Sequence, residues 1–153
     1  MPLAVWIAVL LVISDQFSKF LILSNLKPGE SVPIIKNIFH ISYVCNRGMA
    51  FGMFSGAKLL FICSGLLAVA IILFIFYKRL LRQSKSIQVF LLMILSGAVG
   101  NLIDRLRFGY VIDFLDFRIW PVFNIADASI TIGTALLILQ ILRHKPRQSS
   151  SYI

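Results

Sequence analysis

Apolar residues in this chain neither alternate with polar ones nor recur with a helical stripe. They run on without a polar face. A helix needs about 20 mostly apolar residues to cross the roughly 30 Å hydrocarbon core of a bilayer, and four stretches approach that length: residues 3–23, 59–77, 87–103 and 125–142. The first is interrupted by Asp15, Gln16, Ser18 and Lys19, the second carries no charge, and the third closes on Ser96-Gly97-Ala98-Val99-Gly100-Asn101. The fourth holds one charge, Asp127, near its start. The first stretch is too long for a secretory leader, has no basic prelude and contains Asp15 and Lys19, so it reads as a retained helix.

Residues 24–58 follow a different pattern. Ser31-Val32-Pro33-Ile34-Ile35 and Phe39-His40-Ile41-Ser42-Tyr43-Val44 are rich in β-branched and aromatic residues, with Pro28, Gly29 and Asn37 as turn formers, and predict two short strands. The apolar run from Met49 to Phe54, punctuated by Gly48, Gly52 and Gly56, is expected to dip into the membrane interface. The predicted fold is an all-α membrane protein: four transmembrane helices with a small extracytoplasmic β-sheet element in the first outer loop. Residues 1–153 form one integral membrane domain.

Composition agrees with the pattern. Of 153 residues, 59% are hydrophobic and 14% charged, against about 25% charged in an ordinary soluble domain, and the mean hydropathy is +0.91. Disorder, a disulfide scaffold and a fibrous repeat are excluded. The two cysteines, Cys45 and Cys63, form no CxxC or Cys/His spacing, so a structural zinc site is not indicated.

The net charge of +9 is informative in its distribution. Lys78, Arg79, Arg82 and Lys85 lie between the second and third spans, and Arg143, Lys145 and Arg147 follow the fourth. These basic residues have no acidic company; all six acids (Asp15, Glu30, Asp104, Asp113, Asp116 and Asp127) fall with the remaining basic ones. The positive-inside rule then makes the 78–86 loop and the 143–153 tail cytoplasmic, with both termini inside and the 24–58 and 104–124 loops outside. Topology accounts for the basic residues, and no aromatic interleaving suggests a nucleic-acid platform.

An ionisable side chain at membrane depth is costly, which makes each one a functional candidate. Asp15 and Lys19, spaced i, i+4, can neutralise one another as a structural ion pair. Gly97, Gly100, Asn101 and Asp104 share a face of the third span, where glycines allow a neighbouring helix to approach. Packing does not explain the Asn101, Asp104, Arg105 cluster. Asp113 lies in the apolar segment Val111-Ile112-Asp113-Phe114, and Asp127 follows Asn124, a natural helix N-cap. An acid in a first helical turn suits the dipole, so Asp127 has a structural role available too. The expected topology nonetheless brings both aspartates to the outer interface.

Two carboxylates close together cannot both ionise cheaply; they share a proton and titrate as a unit. Such a pair can deprotonate a water and protonate a carbonyl or leaving amine. That is aspartyl peptide hydrolysis, with no cofactor and no metal. Other chemistries fit less well. His40 and His144 are the only histidines and no GxSxG elbow exists; Cys45 and His40 would point to opposite faces of one strand. Asp104, Asp113 and Asp116 offer oxygen ligands for a divalent ion as a minor alternative. From other classes, a proton-coupled carrier would need an essential acid near the midplane, which only Asp15 approaches, and an assembly subunit would use the polar cluster only to hold helices together.

Five blocks carry a family resemblance: Asp15-Gln16-Phe17-Ser18-Lys19; Asn46-Arg47-Gly48-Met49-Ala50-Phe51-Gly52; Gly97-Ala98-Val99-Gly100-Asn101-Leu102-Ile103-Asp104-Arg105; Gly109-Tyr110-Val111-Ile112-Asp113-Phe114; and Trp120-Pro121-Val122-Phe123-Asn124-Ile125-Ala126-Asp127. In this order the chain resembles the bacterial lipoprotein signal peptidases (signal peptidase II). Arg47 and Met49 stand where the family often has smaller residues. The resemblance implies Asp113 and Asp127 as catalytic dyad, and Asn46, Gly48, Asn101, Arg105, Asn124 and Ala126 as substrate-binding, active-site shell. Asp15, Lys19 and Asp104 are implied as supporting polar residues. It further implies diacylglyceryl-modified prolipoproteins as substrates, cleaved before the lipidated cysteine, and globomycin-like cyclic peptides as inhibitors. The implied setting is the lipid of the bacterial inner membrane, with the active site at its outer face. No nucleic-acid partner is expected, and the expected state is a monomer.

Overall fold

Helices occupy all four apolar stretches in the computed structural model, which describes residues 2–48, 58–79 and 84–143. The chain runs α1 (Pro2–Asn25), β1 (Ser31–Ile35), β2 (Phe39–Asn46), α2 (Lys58–Arg79), α3 (Lys85–Arg107), β3 (Val111–Asp116) and α4 (Ile125–Arg143). The expected interfacial run from Met49 to Phe54, the basic Arg82 and the tail with His144, Lys145 and Arg147 lie outside the described residues.

Among the described residues three helices, Leu3–Asn25, Lys85–Arg107 and Ile125–Arg143, are long and apolar enough to cross a membrane; the apolar helical segment Leu59–Phe74 is shorter. Their outward surface is greasy: Leu3, Trp6, Phe17, Phe20, Leu67, Phe74, Leu139 and Leu142 are all exposed. A water-soluble domain rarely carries apolar patches of this extent. The helices instead bury a polar interior, which is the arrangement a hydrocarbon solvent favours.

α3 is the central helix and packs against α1, α2 and α4. It starts on Ser84, whose extended backbone (φ −61°, ψ 151°) lets the side chain accept from the Ile87 N–H, satisfying one of the orphan donors of a first turn. Close approach of α4 depends on Gly97, where a Cβ would overlap the Ala126 carbonyl oxygen. At Gly100 a Cβ would lie 2.7 Å from Asp15 Oδ2 and 3.3 Å from Ala126 Cβ, so this glycine leaves space for a carboxylate as well as for α4.

The sheet is larger than the sequence predicts. β1 and β2, the two expected strands, pair antiparallel, Ser31 opposite Ser42 and Pro33 opposite His40, turning at Asn37 in the left-handed region (φ 62°). Pro33, which cannot donate to a ladder, sits on the edge strand where that costs least. β3, from the segment between α3 and α4, then pairs antiparallel with β2 to give the order β1-β2-β3, with Val44 opposite Asp113 and Asn46 opposite Val111. Ile22, Tyr43, Ile112 and Phe114 form the small core where the end of α1 meets this sheet. Beyond β3 the chain doubles back through Arg118 (φ 63°). Phe123 O then accepts from both Phe114 N and Leu115 N, at 3.0 and 2.8 Å. This return delivers Asn124 and the start of α4 beside Asp113.

Candidate active site

Three elements present the polar residues to one another. β3 contributes Asp113, 2% exposed; the first turn of α4 contributes Asp127; the C-terminal half of α3 contributes Asn101, Asp104 and Arg105. Asn124 is the N-cap of α4, and its Oδ1 accepts from the Asp127 backbone N–H at 2.8 Å. Its amide nitrogen donates to Asp113 Oδ1 at 2.7 Å and approaches Asn101 Oδ1 at 3.1 Å and Ile112 O at 3.2 Å. The cap read from the sequence therefore exists, and the same residue also binds the partner acid.

Two further asparagines complete the clamp. Asn46, at the end of β2, donates from Nδ2 to Asp113 Oδ2 at 2.9 Å, while its Oδ1 accepts from the Gly48 N–H at 3.1 Å. Asn101 donates from Nδ2 to Asp127 Oδ1 at 2.7 Å. Three carboxamides thus aim NH₂ groups at the two carboxylates. Burial, and next the negative charge of Asp127, push the Asp113 carboxyl up to about 7, against the opposing pull of the Asn46 and Asn124 hydrogen bonds and of Lys19. Asp113 is therefore a carboxyl that holds a proton near neutral pH, beside a second acid.

Behind the pair lies an ion cluster. Lys19 Nζ sits 2.8 Å from Asp15 Oδ2, 2.8 Å from Asp104 Oδ2 and 3.1 Å from Asn101 Oδ1. The i, i+4 pair expected on α1 is present, and Asp104 joins it. Asp15 Oδ1 also accepts the Ala126 N–H at 2.9 Å, and Asp104 Oδ2 accepts the Ile112 N–H at 3.1 Å, so the cluster ties α1, α3, β3 and α4 together. Gln16, a motif residue given no role in the sequence reading, places its Nε2, with two hydrogens to share, 3.1–3.2 Å from Asp15 Oδ2, Gly100 O and Asp104 Oδ1. Its signal was its place beside Asp15 in an otherwise apolar helix. Arg105 holds its guanidinium 5.8 Å from the Phe61 ring centroid on α2 and feels the charges of Asp127, Asp113 and Asp104.

Asp116, weighed with Asp104 and Asp113 as an oxygen ligand, is engaged elsewhere. It accepts from Ser42 Oγ at 2.8 Å and pairs with Arg118 at 2.9 Å. Among the described residues no group of three or more His, Cys, Asp or Glu is arranged to hold a metal ion. A cavity of about 410 Å³ opens beside Asp127, walled by Trp120, Phe123, Ala128 and Ile132 among others. It is predominantly apolar, with a carboxylate at its edge, which is the usual make-up of an organic-ligand site.

Greasy helices, a small sheet on one end and two clamped acids, of which Asp127 borders an apolar cavity, define a membrane-embedded protein with a candidate acid–base site. Residues 7–143 match the family described as signal peptidase (SPase) II. The chain is 51% identical over 138 residues to a lipoprotein signal peptidase of Halothermothrix orenii, covering 90% of this chain and 94% of that one. A lipoprotein signal peptidase of Moorella thermoacetica is 47% identical over 136 residues, covering 89% and 90%. A bacterial membrane enzyme solved by the in meso method at 2.3 Å resolution superposes with a TM-score of 0.87 and 31% identity, over 100% of this chain and 95% of that one. The protein belongs to the signal peptidase II family of membrane peptidases.

Proposed function

We propose that this protein is an aspartyl endopeptidase that removes the signal peptide from diacylglyceryl-modified prolipoproteins, cutting just before the lipidated cysteine. Asp113 and Asp127 are its catalytic pair. The observation that carries this reading is the clamp: Asn46, Asn124 and Asn101 hold two buried or half-buried carboxylates in fixed orientation, and one of them retains a proton near pH 7.

Asp113 is the acid at rest and Asp127 the base. Asp127 takes a proton from water as the water oxygen bonds to the scissile carbonyl carbon, and the carbonyl oxygen takes the Asp113 proton. The C–N bond then breaks, the amine leaves with the proton from Asp127, and Asp113 recovers its own from the collapsing gem-diol. Acid–base action of this kind contributes about 10²–10⁴-fold per group, and the clamp adds positioning. Asn46, Gly48, Asn101, Arg105, Asn124 and Ala126 line or shape the site, while Asp15, Lys19 and Asp104 support it.

The charge pattern favours four spans in the bacterial cytoplasmic membrane, both termini inside, and the sheet and aspartates at the outer face. A membrane-held signal helix would meet the site there, in the company of membrane lipid. Globomycin-like cyclic peptides fit as inhibitors, and a monomer suffices, since both acids come from one chain. The test is a gel-shift assay of purified protein with a lipid-modified precursor. Asp113→Asn and Asp127→Asn are each expected to abolish cleavage while the protein folds and retains the precursor. Near wild-type processing by either variant rejects the dyad.

A further inference from the structure

An asparagine side chain can be turned end for end at almost no steric cost, so what faces the carboxylates depends on what holds the other end. At Asn46 and Asn124 that end is held by backbone: the N–H of Gly48 and the N–H of Asp127 must donate, so each Oδ1 faces them and each NH₂ faces Asp113. Among the described residues Asn101 has no backbone partner of this kind. Its Oδ1 faces Lys19 Nζ at 3.1 Å and Asn124 Nδ2 at 3.1 Å. Asn124 divides two hydrogens among three acceptors, and Asn101 is not the nearest of them. The ammonium has three donors and no acceptor, and its three polar partners among the described residues are Asp15, Asp104 and Asn101. It can face only the oxygen of Asn101.

The consequence reaches Asp127. With its oxygen toward Lys19, Asn101 presents NH₂ to Asp127 Oδ1 at 2.7 Å. Both oxygens of Asp113 are likewise occupied by amide donors. Of the four carboxylate oxygens only Asp127 Oδ2 has no hydrogen-bond partner among the described residues, and Asp127 borders the cavity. Reversed, Asn101 would set a carbonyl oxygen against a carboxylate oxygen, a repulsive contact that would turn the acid away.

We propose that Lys19 is a positioning residue for the hydrolysis: by donating to Asn101 Oδ1 it fixes that carboxamide so that Asp127 Oδ1 is gripped and Asp127 Oδ2 is left as the oxygen that accepts the proton of the attacking water. This rests on the peptidase reading above. The ammonium pairs with Asp15 on α1 and Asp104 on α3, and its charge also reaches Asp113 on β3 and Asp127 on α4. Lys19 touches none of the reacting atoms and acts through Asn101.

Replacing lysine alone strands two buried carboxylates, which threatens the fold. The experiment therefore uses three purified variants with a diacylglyceryl-modified precursor: Lys19→Met, the double variant Lys19→Met with Asp15→Asn, and Asn101→Asp. The double variant keeps the net charge of the buried cluster unchanged. Asn101→Asp gives Lys19 a further acid to pair with while removing the amide that holds Asp127. The folded fraction of each is measured by thermal unfolding, and rates are expressed per folded molecule. The expected result is kcat lower by about 100-fold, with KM within about threefold, in every variant that folds. If a folded variant turns over at close to the wild-type kcat, or if restoring the fold in the double variant restores kcat, Lys19 is only structural and the proposal is overturned. Failure of all three to fold, where the Asp127→Asn protein folds, likewise overturns it, because the cluster then serves the fold. Failure of the wild-type protein itself to cut the precursor rejects the peptidase reading instead.

Discussion

Asn124 and Asp113, eleven positions apart, are joined by a 2.7 Å hydrogen bond from Asn124 Nδ2 to Asp113 Oδ1, and the same Asn124 side chain caps the helix that carries Asp127. One residue thereby ties the strand that bears one acid to the helix that bears the other. Helix capping and acid alignment are the same act here. A displaced cap moves Asp127 relative to Asp113.

Substitution at Asn124 separates the two roles. Aspartate is as good an N-cap as asparagine, whereas alanine costs about 1 kcal/mol at such a position. Asn124→Asp is therefore expected to keep the start of α4 but to lose the amide donor to Asp113 and set a third carboxylate beside it. Cleavage should fall by about 100-fold or more, and Asn124→Ala should lose both cleavage and thermal stability. Kinetics and melting curves on the two variants check this; wild-type activity in Asn124→Asp is the result that contradicts it.

The pH dependence of stability follows from Asp113. Burial, then the Asp127 charge, raise its pKa from 3.8 to about 7, so the folded protein keeps a proton that the unfolded chain releases at lower pH. The stabilising contribution is complete below about pH 3.8 and is lost progressively as pH rises to about 7. That rise corresponds to a change on the order of 4 kcal/mol. Asp113→Asn has no such group, so its melting temperature relative to wild type is expected to rise between pH 4 and pH 8. Wild-type activity is expected to decline above about pH 7 as the resting proton is lost. A Tm difference independent of pH would falsify the assignment of this proton to Asp113.

Gly97 tests the packing beneath the site. A methyl group there meets the Ala126 carbonyl oxygen and lies 2.7 Å from Ile130 Cγ1, so α4 must retreat from α3. Overpacking of this kind costs about 1–3 kcal/mol. Because Ala126 N bonds Asp15 and Asp127 is the next residue, Gly97→Ala is expected to lower both melting temperature and kcat. Leu142, at the far end of the same helix and exposed, provides the contrast: Leu142→Ala should leave kcat as it is.

Much of the architecture was legible along the chain, for a reason particular to membrane proteins. Lipid imposes long apolar helices, and it makes each charge within them conspicuous; Asp15, Lys19 and Asp127 stood out on that ground alone. Asp113 stood out because of its apolar neighbours. Asn46 did not: a polar residue after a strand resembles a loop residue, and only the family resemblance pointed to it. β3 was missed as a strand because Val111, Ile112, Asp113 and Phe114 are all buried, so the alternation that marks a half-exposed strand is absent.

What the linear order of residues determined was therefore local and energetic: where helices lie, which side chains are too polar for their surroundings, and which residue begins α4. What only the tertiary structure decided was who meets whom. Asp104 joins Lys19 from another helix at 2.8 Å, β3 docks on β2, and Asn46, Asn101 and Asn124 converge on two acids. Hydrophobicity and capping act between neighbours in sequence and can be read there. Hydrogen-bond partners across 67 or 82 positions depend on how helices and strands are brought together in space, which no local pattern encodes.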